Sequence, residues 1–390
     1  MRVAFSVHAY LPSIGGAERY AQGLAEGLTL LGHEVHVLTA DVDDPEAFYE
    51  LGHKAVAPAN ETIGGVIIHR VPYGNMGYRR MGRVLGVERV IRSSTQKFLE
   101  KLGDRLAKID PDIVVTLPHL FPNVEESLRL RATAPWKLIY VPMLHEDDPY
   151  WSIERVSAAV IRADGVVALT EYERNRLLQS YGANPQMTAV IPPGVAAGGG
   201  IRYLDRDLVV LFVGRRTISK RLDVLYEAMK IVWEKFPDAT LQLAGSYPGV
   251  GPDPAIWFAA DPRVSIIDAP DEREKARLLG KAKVLVNPSL TESFGITTLE
   301  AWAHGTPVVV SDSPVNRSVV RHGVDGLVAA GESVFDLAGA IAQVIEDPFM
   351  AEALGRAAQT RAQSEFSWDR SIQTLDQLLE AAARGSEPVA

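Results

Sequence analysis

Short apolar, β-branched runs alternate along this chain with longer stretches of helical period, the pattern of parallel sheets covered by helices on both faces. In the first half the predicted strands are Arg2 to Val7, Glu34 to Thr39, Val66 to Val71, Asp112 to Leu117, Lys137 to Val141, Gly165 to Leu169 and Met187 to Ile191. Helices fill the gaps, among them Gly16 to Leu31 and Glu171 to Tyr181. The stretch Pro192-Pro193-Gly194-Val195-Ala196-Ala197-Gly198-Gly199-Gly200 then interrupts both periods and reads as a hinge. The pattern restarts with a strand at Leu208 to Val213 and a helix from about Ser219 to Phe236. Strands follow at Thr240 to Ala244, Val264 to Asp268, Val284 to Asn287 and Pro307 to Val310. A last helix, Asp369 to Ala383, is expected to pack back across the first half before a polar tail.

Two similar α/β halves therefore succeed one another, and 390 residues suit two domains of roughly 150 to 200 residues each. The expected boundaries are 1–192, 201–366, and a returning helix with its tail at 367–390. Two such domains imply a central cleft. No run reaches the roughly 20 apolar residues of a membrane span, and the first apolar stretch meets His8 and Pro12 too soon for a signal peptide, so a cytoplasmic location is expected. The absence of cysteine removes disulfides, thiolate nucleophiles and thiolate metal sites. A net charge of −9 argues against general nucleic-acid binding.

Open α/β sheets bind ligands at the C-terminal edges of their strands, so the residues just after strands carry the chemistry. Gly15 and Gly16 stand between the first strand and a helix, where small residues and free N–H groups suit an anion; a turn shaped by glycine is the plainer reading. Arg215 follows the strand that ends at Gly214, and Lys220 lies near the start of the next helix. The two cations can reach one diphosphate, an arginine as a bidentate fork and a lysine as a mobile point charge, or they form a solvated basic turn. The third segment runs Glu292-Ser293-Phe294-Gly295-Ile296-Thr297-Thr298-Leu299-Glu300, directly after Asn287-Pro288-Ser289. Gly295 lets the chain approach a ligand where a helix begins, and carboxylates on either side accept pairs of hydroxyl protons. Two glutamates eight apart would otherwise read as exposed helix charges.

Taken together, these residues resemble the retaining glycosyltransferases of family 4, which have the GT-B fold of two Rossmann-like domains. The family's Glu-x7-Glu after a Pro-Ser turn reads NPSLTESFGITTLEA here, its Gly-Arg with a following lysine reads GRRTISK, and its N-terminal Gly-Gly turn reads GGAE. The resemblance spans nearly the whole chain. It implies an N-terminal acceptor-binding domain and a C-terminal nucleotide-sugar domain facing each other across the cleft. It further implies that Arg215 and Lys220 hold the donor diphosphate and that Glu300 holds the ribose hydroxyls. Glu292, with Ser293 and the amides near Phe294, Gly295 and Ile296, would hold the transferred sugar, and Gly15 and Gly16 would complete the donor site. Family members often place a histidine after the strand that here precedes Val141-Pro142-Met143-Leu144-His145; His145 matches that position, and His119 after the preceding strand is a second candidate. Where Asn-Gly-Val-Asp is usual, this chain has Pro192-Pro193-Gly194-Val195 after Ile191.

The implied reaction moves a hexose from a UDP- or GDP-sugar to a hydroxyl of a sugar, small-molecule or lipid-linked acceptor, with anomeric retention and without a metal. No Asp-x-Asp signature follows a strand; Asp41-Val42-Asp43 is the nearest string. Competing readings are a GT-B epimerase or phosphorylase, a non-catalytic sugar-binding module, and a nicotinamide-dependent oxidoreductase, which lacks its Gly-x-Gly-x-x-Gly here. One segment departs from the overall acidity: Arg79 to Lys108 carries nine Lys and Arg against Glu88, Glu100 and Asp104. Lys97, Lys101, Arg105 and Lys108 share a helical face beside the stripe Phe98, Leu99, Leu102, Leu106 and Ile109. That face is either a solvated exterior or a docking surface for an anionic membrane, which would place the protein peripherally at the inner membrane face.

Overall fold

The computed structural model describes the chain except residues 14, 43–47, 49–54, 57, 74–86, 120, 147–150, 200, 248–252, 331–332 and 386–390, and shows only the backbone at 87–90 and 92. The start of the basic segment, Arg79 with residues 80–86, and Asp43 lie outside the described residues. The chain forms two compact units, one from Met1–Pro193 together with Trp368–Ala390 and one from Gly194–Ser367.

The first unit runs β1 (Arg2–Val7), α1 (Gly16–Leu30), β2 (Glu34–Ala40), β3 (Asn60–Ile63), β4 (Val66–Val71), α2 (Val87–Ile109), β5 (Ile113–Leu117), α3 (Pro122–Arg131), β6 (Lys137–Tyr140), α4 (Ile153–Arg162), β7 (Gly165–Ala168), α5 (Glu171–Ser180) and β8 (Thr188–Val190). Its eight strands lie in the order β3-β4-β2-β1-β5-β6-β7-β8. All neighbours are parallel except β3 and β4, an antiparallel hairpin at the edge. The sequence reading did not include β3, because Asn60-Glu61-Thr62-Ile63 is too polar to register as a buried strand and sits half exposed. The central strands are buried on both faces, and helices close over them because their apolar residues recur every three to four positions. On α1 these are Tyr20, Ala21, Leu24, Ala25 and Leu28.

The second unit runs β9 (Asp207–Val213), α6 (Leu222–Lys235), β10 (Thr240–Ala244), β11 (Val264–Ile267), α7 (Glu272–Lys281), β12 (Ala282–Asn287), α8 (Ile296–Ala303), β13 (Val308–Ser311), α9 (Pro314–Val319), β14 (Leu327–Ala329), α10 (Val334–Glu346) and α11 (Pro348–Glu365). Its six strands, all parallel, lie in the order β11-β10-β9-β12-β13-β14. The order reverses direction between β9 and β12, so the switch point of this sheet falls where β9 and β12 end. A core of Val210, Phe212, Leu225, Met229, Trp233, Leu243, Val284 and Ile341 lies beneath α6 and α10.

After the second unit, α12 (Trp368–Arg384) returns to the first and packs against α1. The two helices lie close because α1 offers glycine at the contact. A methyl group at Gly23 would lie 2.4 Å from the Trp368 ring, and one at Gly27 would lie 2.1 Å from Ile372. Ser371 Oγ donates to the Pro192 carbonyl at 2.7 Å, and His33 Nε2 meets Asp376 at 2.9 Å.

Candidate functional site

Beside the switch point of the second unit, the ends of β9 and β10 come close backbone to backbone. The Gly214 N–H donates to Ala244 O at 2.9 Å, and a Cβ on Gly245 would stand 2.0 Å from the Gly214 carbonyl oxygen. The two arginines that follow separate. Arg216 turns inward, is 5% exposed, and binds Asp253, Asp268 and the Gly245 carbonyl, which fixes the loops after β10 and β11. Arg215 is exposed, and no described residue accepts a hydrogen bond from its guanidinium.

Lys220 was expected near the start of the following helix, within a helix beginning at about Ser219. It lies instead in a separate 3-10 turn, Ile218–Lys220, and α6 begins only at Leu222. Arg221 between them is left-handed, with φ 51°, and a right-handed helix cannot run through that residue. The turn brings Lys220 Nζ within 2.6 Å of Glu292 Oε1. Asn287 Nδ2 at the end of β12 donates to the same oxygen at 3.3 Å.

The Asn-Pro-Ser turn has a physical cause. Its groups are buried, and each finds a partner: Asn287 Oδ1 accepts the Ser289 N–H at 3.2 Å, Ser311 Oγ donates to Pro288 O at 2.8 Å, and Asn316 Nδ2 donates to the carbonyls of Ser289 and Ser311. Phe294 anchors the next stretch in the core, edge-on to Phe366 at 5.8 Å. Gly295 then takes φ 85°, a conformation other residues adopt only with strain, and starts α8. The Ile296 and Thr297 N–H groups, in the first turn of α8, have no intrahelical partner and carry the positive end of the helix dipole. Ser293 and Ile296 are half-buried here. Glu300, a turn further along, pairs with Lys275 of α7, which also meets Glu272 at 3.2 Å. The structure thus brings Lys220, Glu292, Gly295, Ile296 and Glu300 to one end of this sheet. Lys275 was not singled out from sequence, since a lysine on a charged helix carries no spacing signal.

In the first unit, Gly15 caps α1 in an extended conformation and Gly16 opens the helix. Glu18 in the first turn is buried and lies 3.0 Å from His8 Nε2 at the end of β1, while the His8 ring stacks on Phe121 at 3.9 Å. His119 is also buried. Its Nδ1 lies 2.5 Å from the Tyr140 hydroxyl and its ring packs edge-on to Trp151. Burial, helped by the positive charge of Arg155, lowers its pKa to about 4, so His119 is neutral and fixed in place. His145 is exposed, beyond the end of β6. The segment leading to it is held by Glu173 of α5, a buried carboxylate that accepts the Leu144 N–H at 2.8 Å and the Leu169 N–H at 2.6 Å. Neither Glu173 nor the His8 and Glu18 pair was anticipated. Thr170-x-x-Glu173 does carry the signature of a capping box, which could have drawn attention to it.

Comparison with known proteins gives the same picture for each half. The family model "Glycosyltransferase Family 4" matches residues 14–197, and "Glycosyl transferases group 1" matches 203–361. A D-inositol 3-phosphate glycosyltransferase of Actinosynnema mirum is 33% identical over 241 residues, which is 55% of this chain and 57% of that protein. One of Kribbella flavida is 31% identical over 55% of its length. The chain therefore spans a little over half the length of these curated relatives. Among solved structures, a sucrose-phosphate synthase from Thermosynechococcus elongatus superposes with a TM-score of 0.79 at 22% identity, covering 99% of this chain and all of that one. HepE of Anabaena, solved with UDP-glucose, superposes at 0.74 and 17% identity, covering 98% of this chain. With the two models matching successive halves and both sheets built as in these structures, the chain belongs to glycosyltransferase family 4 and has the GT-B fold.

Proposed function

We propose that the protein transfers a hexose from a nucleoside-diphosphate sugar to an acceptor hydroxyl with retention of the anomeric configuration. The observation that carries this reading is the arrangement around Gly295. Two carboxylates, Glu292 and Glu300, flank an open helix N-terminus, and each is held by a lysine. Departure of the diphosphate builds negative charge on the leaving group and positive charge on the sugar ring. Lys220, with three N–H donors of which one goes to Glu292, and Arg215, with its guanidinium toward solvent, meet the first need. The first-turn N–H groups of α8 add to them. Glu292 faces the sugar hydroxyls and the cationic ring, and Glu300 takes the ribose. Within the first unit, Gly15 and Gly16 at the start of α1 are the candidates for a donor contact, and the exposed His145 is the candidate for a sugar contact. The departing phosphate takes the acceptor's proton on the same face, so no separate base is assigned and no metal is required.

The donor is a UDP- or GDP-sugar; HepE, of the same fold, was solved with UDP-glucose. The acceptor-binding role falls to the first unit. Relatives that share about half their length with this chain carry the name D-inositol 3-phosphate glycosyltransferase, so a cyclitol phosphate belongs among the acceptors to try. A lipid-linked acceptor is supported by α2, whose Phe98, Leu102 and Leu106 are buried while Lys97, Lys101 and Lys108 are exposed. Among the described residues no helix is long and apolar enough to cross a membrane, so contact with one would be peripheral through this face. Sedimentation with anionic vesicles at about 50 mM salt, where screening is weak, tests it. The main test is a panel of nucleoside-diphosphate sugars, scored by thermal shift and then by proton NMR of the product. Stabilisation by one nucleotide and a retained anomer is the expected result. An inverted product would overturn the reading.

A further inference from the structure

We propose that Glu173 is a positioning residue for the transfer reaction, setting through the backbone of Met143 and Leu144 where His145 stands. This rests on the role given to His145 above. The geometry behind it is a grip from one helix on both sides of that histidine. Glu173 sits at the third position of α5, where the Thr170 hydroxyl accepts its N–H at 3.0 Å, yet its carboxylate is 2% exposed and faces inward. It accepts the N–H groups of Leu144, Leu169 and Met143. One turn along the same helix, Arg176 forks onto Glu146, with Nε 3.2 and 3.1 Å from the two carboxylate oxygens. The Tyr181 hydroxyl donates to the same carboxylate at 2.6 Å. Met143 to Glu146 is thus tied immediately before and immediately after His145. Met143 itself is left-handed, with φ 54°, a conformation that reverts unless its surroundings hold it.

Simple capping does not account for a carboxylate here. Burial pushes the Glu173 carboxyl up to about 7 against the three N–H bonds that lower it, and the titratable groups facing it are the phenols of Tyr20 on α1 and Tyr140 on β6. A glutamine would be easier to bury. Only a group that accepts and never donates can take three converging N–H donors, however, and a glutamine amide would turn its own N–H groups on one of them.

The test compares Glu173→Gln, Arg176→Gln and His145→Ala, using the nucleoside-diphosphate sugar that the panel selects. Glu173→Gln is expected to lower kcat at least tenfold with donor KM within threefold, and Arg176→Gln about threefold. The Glu173→Gln/His145→Ala double variant should be no slower than the slower single, since one acts through the other. Wild-type kcat should fall as pH drops below 7 and Glu173 takes a proton, and Glu173→Gln should lack that limb. A folded Glu173→Gln with unchanged kcat, or losses that multiply in the double variant, would overturn the inference while leaving His145 in its role. A silent His145→Ala removes the role itself. If Glu173→Gln does not fold, Arg176→Gln decides: a roughly threefold lower kcat that does not multiply with His145→Ala supports the grip and an unchanged kcat overturns it, because that side chain is a third exposed and its loss leaves the core intact.

Discussion

The two units hold acidic side chains at the C-terminal ends of parallel strands in opposite ways. In the second, Glu292 and Glu300 are partly open and each faces a lysine, Lys220 or Lys275. In the first, Glu18 and Glu173 are buried and meet an imidazole or peptide N–H groups. Pairs of the first kind can exchange partners with an arriving anion or sugar, because they are only partly buried and a lysine is a mobile point charge. Groups of the second kind cannot exchange without leaving buried N–H donors unsatisfied, so they fix backbone instead. Under the proposed function, ligand chemistry and support would thus be divided between two kinds of carboxylate.

The sharpest way to break this contrast is to remove a cation. Arg215→Ala and Lys220→Ala should each lower kcat/KM by roughly 30- to 1,000-fold, the loss of a charge-assisted donor worth about 2 to 4 kcal/mol, with little change in thermal stability. A variant within threefold of the parent would take that residue out of the phosphate site. Glu300→Ala should weaken free nucleotide binding about tenfold by calorimetry. Lys275→Met should weaken it less, because Lys275 holds the carboxylate without meeting the ligand. Equal losses would make Lys275 a ligand group in its own right.

The first unit is exposed to pH through buried titratable groups. Burial depresses His69 and His119 to about 4 from the ordinary 6.5. Below 6.5 the unfolded chain binds protons that the folded one refuses, so their contribution is present above 6.5 and is lost as pH falls toward 4. Glu173, raised to about 7, acts in the other sense and favours folding at low pH. Denaturant unfolding between pH 7.5 and 4.5 should show stability falling, and falling less in His119→Asn. An unchanged slope would mean that His119 does not stay neutral when the chain is folded. The smallest effect concerns the turn that delivers Lys220: Arg221→Gly should raise stability by up to about 1 kcal/mol by relieving a left-handed arginine. A loss would show that the Arg221 side chain contributes more than its backbone costs.

Much of this was legible in the sequence. The parallel strands were, because burial on both faces writes them as continuous apolar runs. The Glu292 to Glu300 segment was too, because its turn, its glycine and its helix each need a particular residue. What escaped has a common physical origin. The edge strand β3 is polar and half exposed, and β14 is only three residues long. The helix expected from Ser219 was broken by a left-handed arginine, which no periodicity announces. Lys275 and the pair His8 and Glu18 are joined to their partners only by the fold, and the capping-box spacing that marks Glu173 says nothing of its reach to Leu144.

The return of α12 to α1 has a consequence for synthesis. The ribosome delivers the groove around Gly23 and Gly27 early, yet Trp368 and Ile372, which fill it, emerge only after the whole second unit. The nascent first unit must wait with that strip of α1 uncovered while 174 intervening residues, Gly194–Ser367, are made. A chain released before α12 should therefore be recognised by chaperones and proteases as unfinished, even with the Glu292 to Glu300 segment already in place.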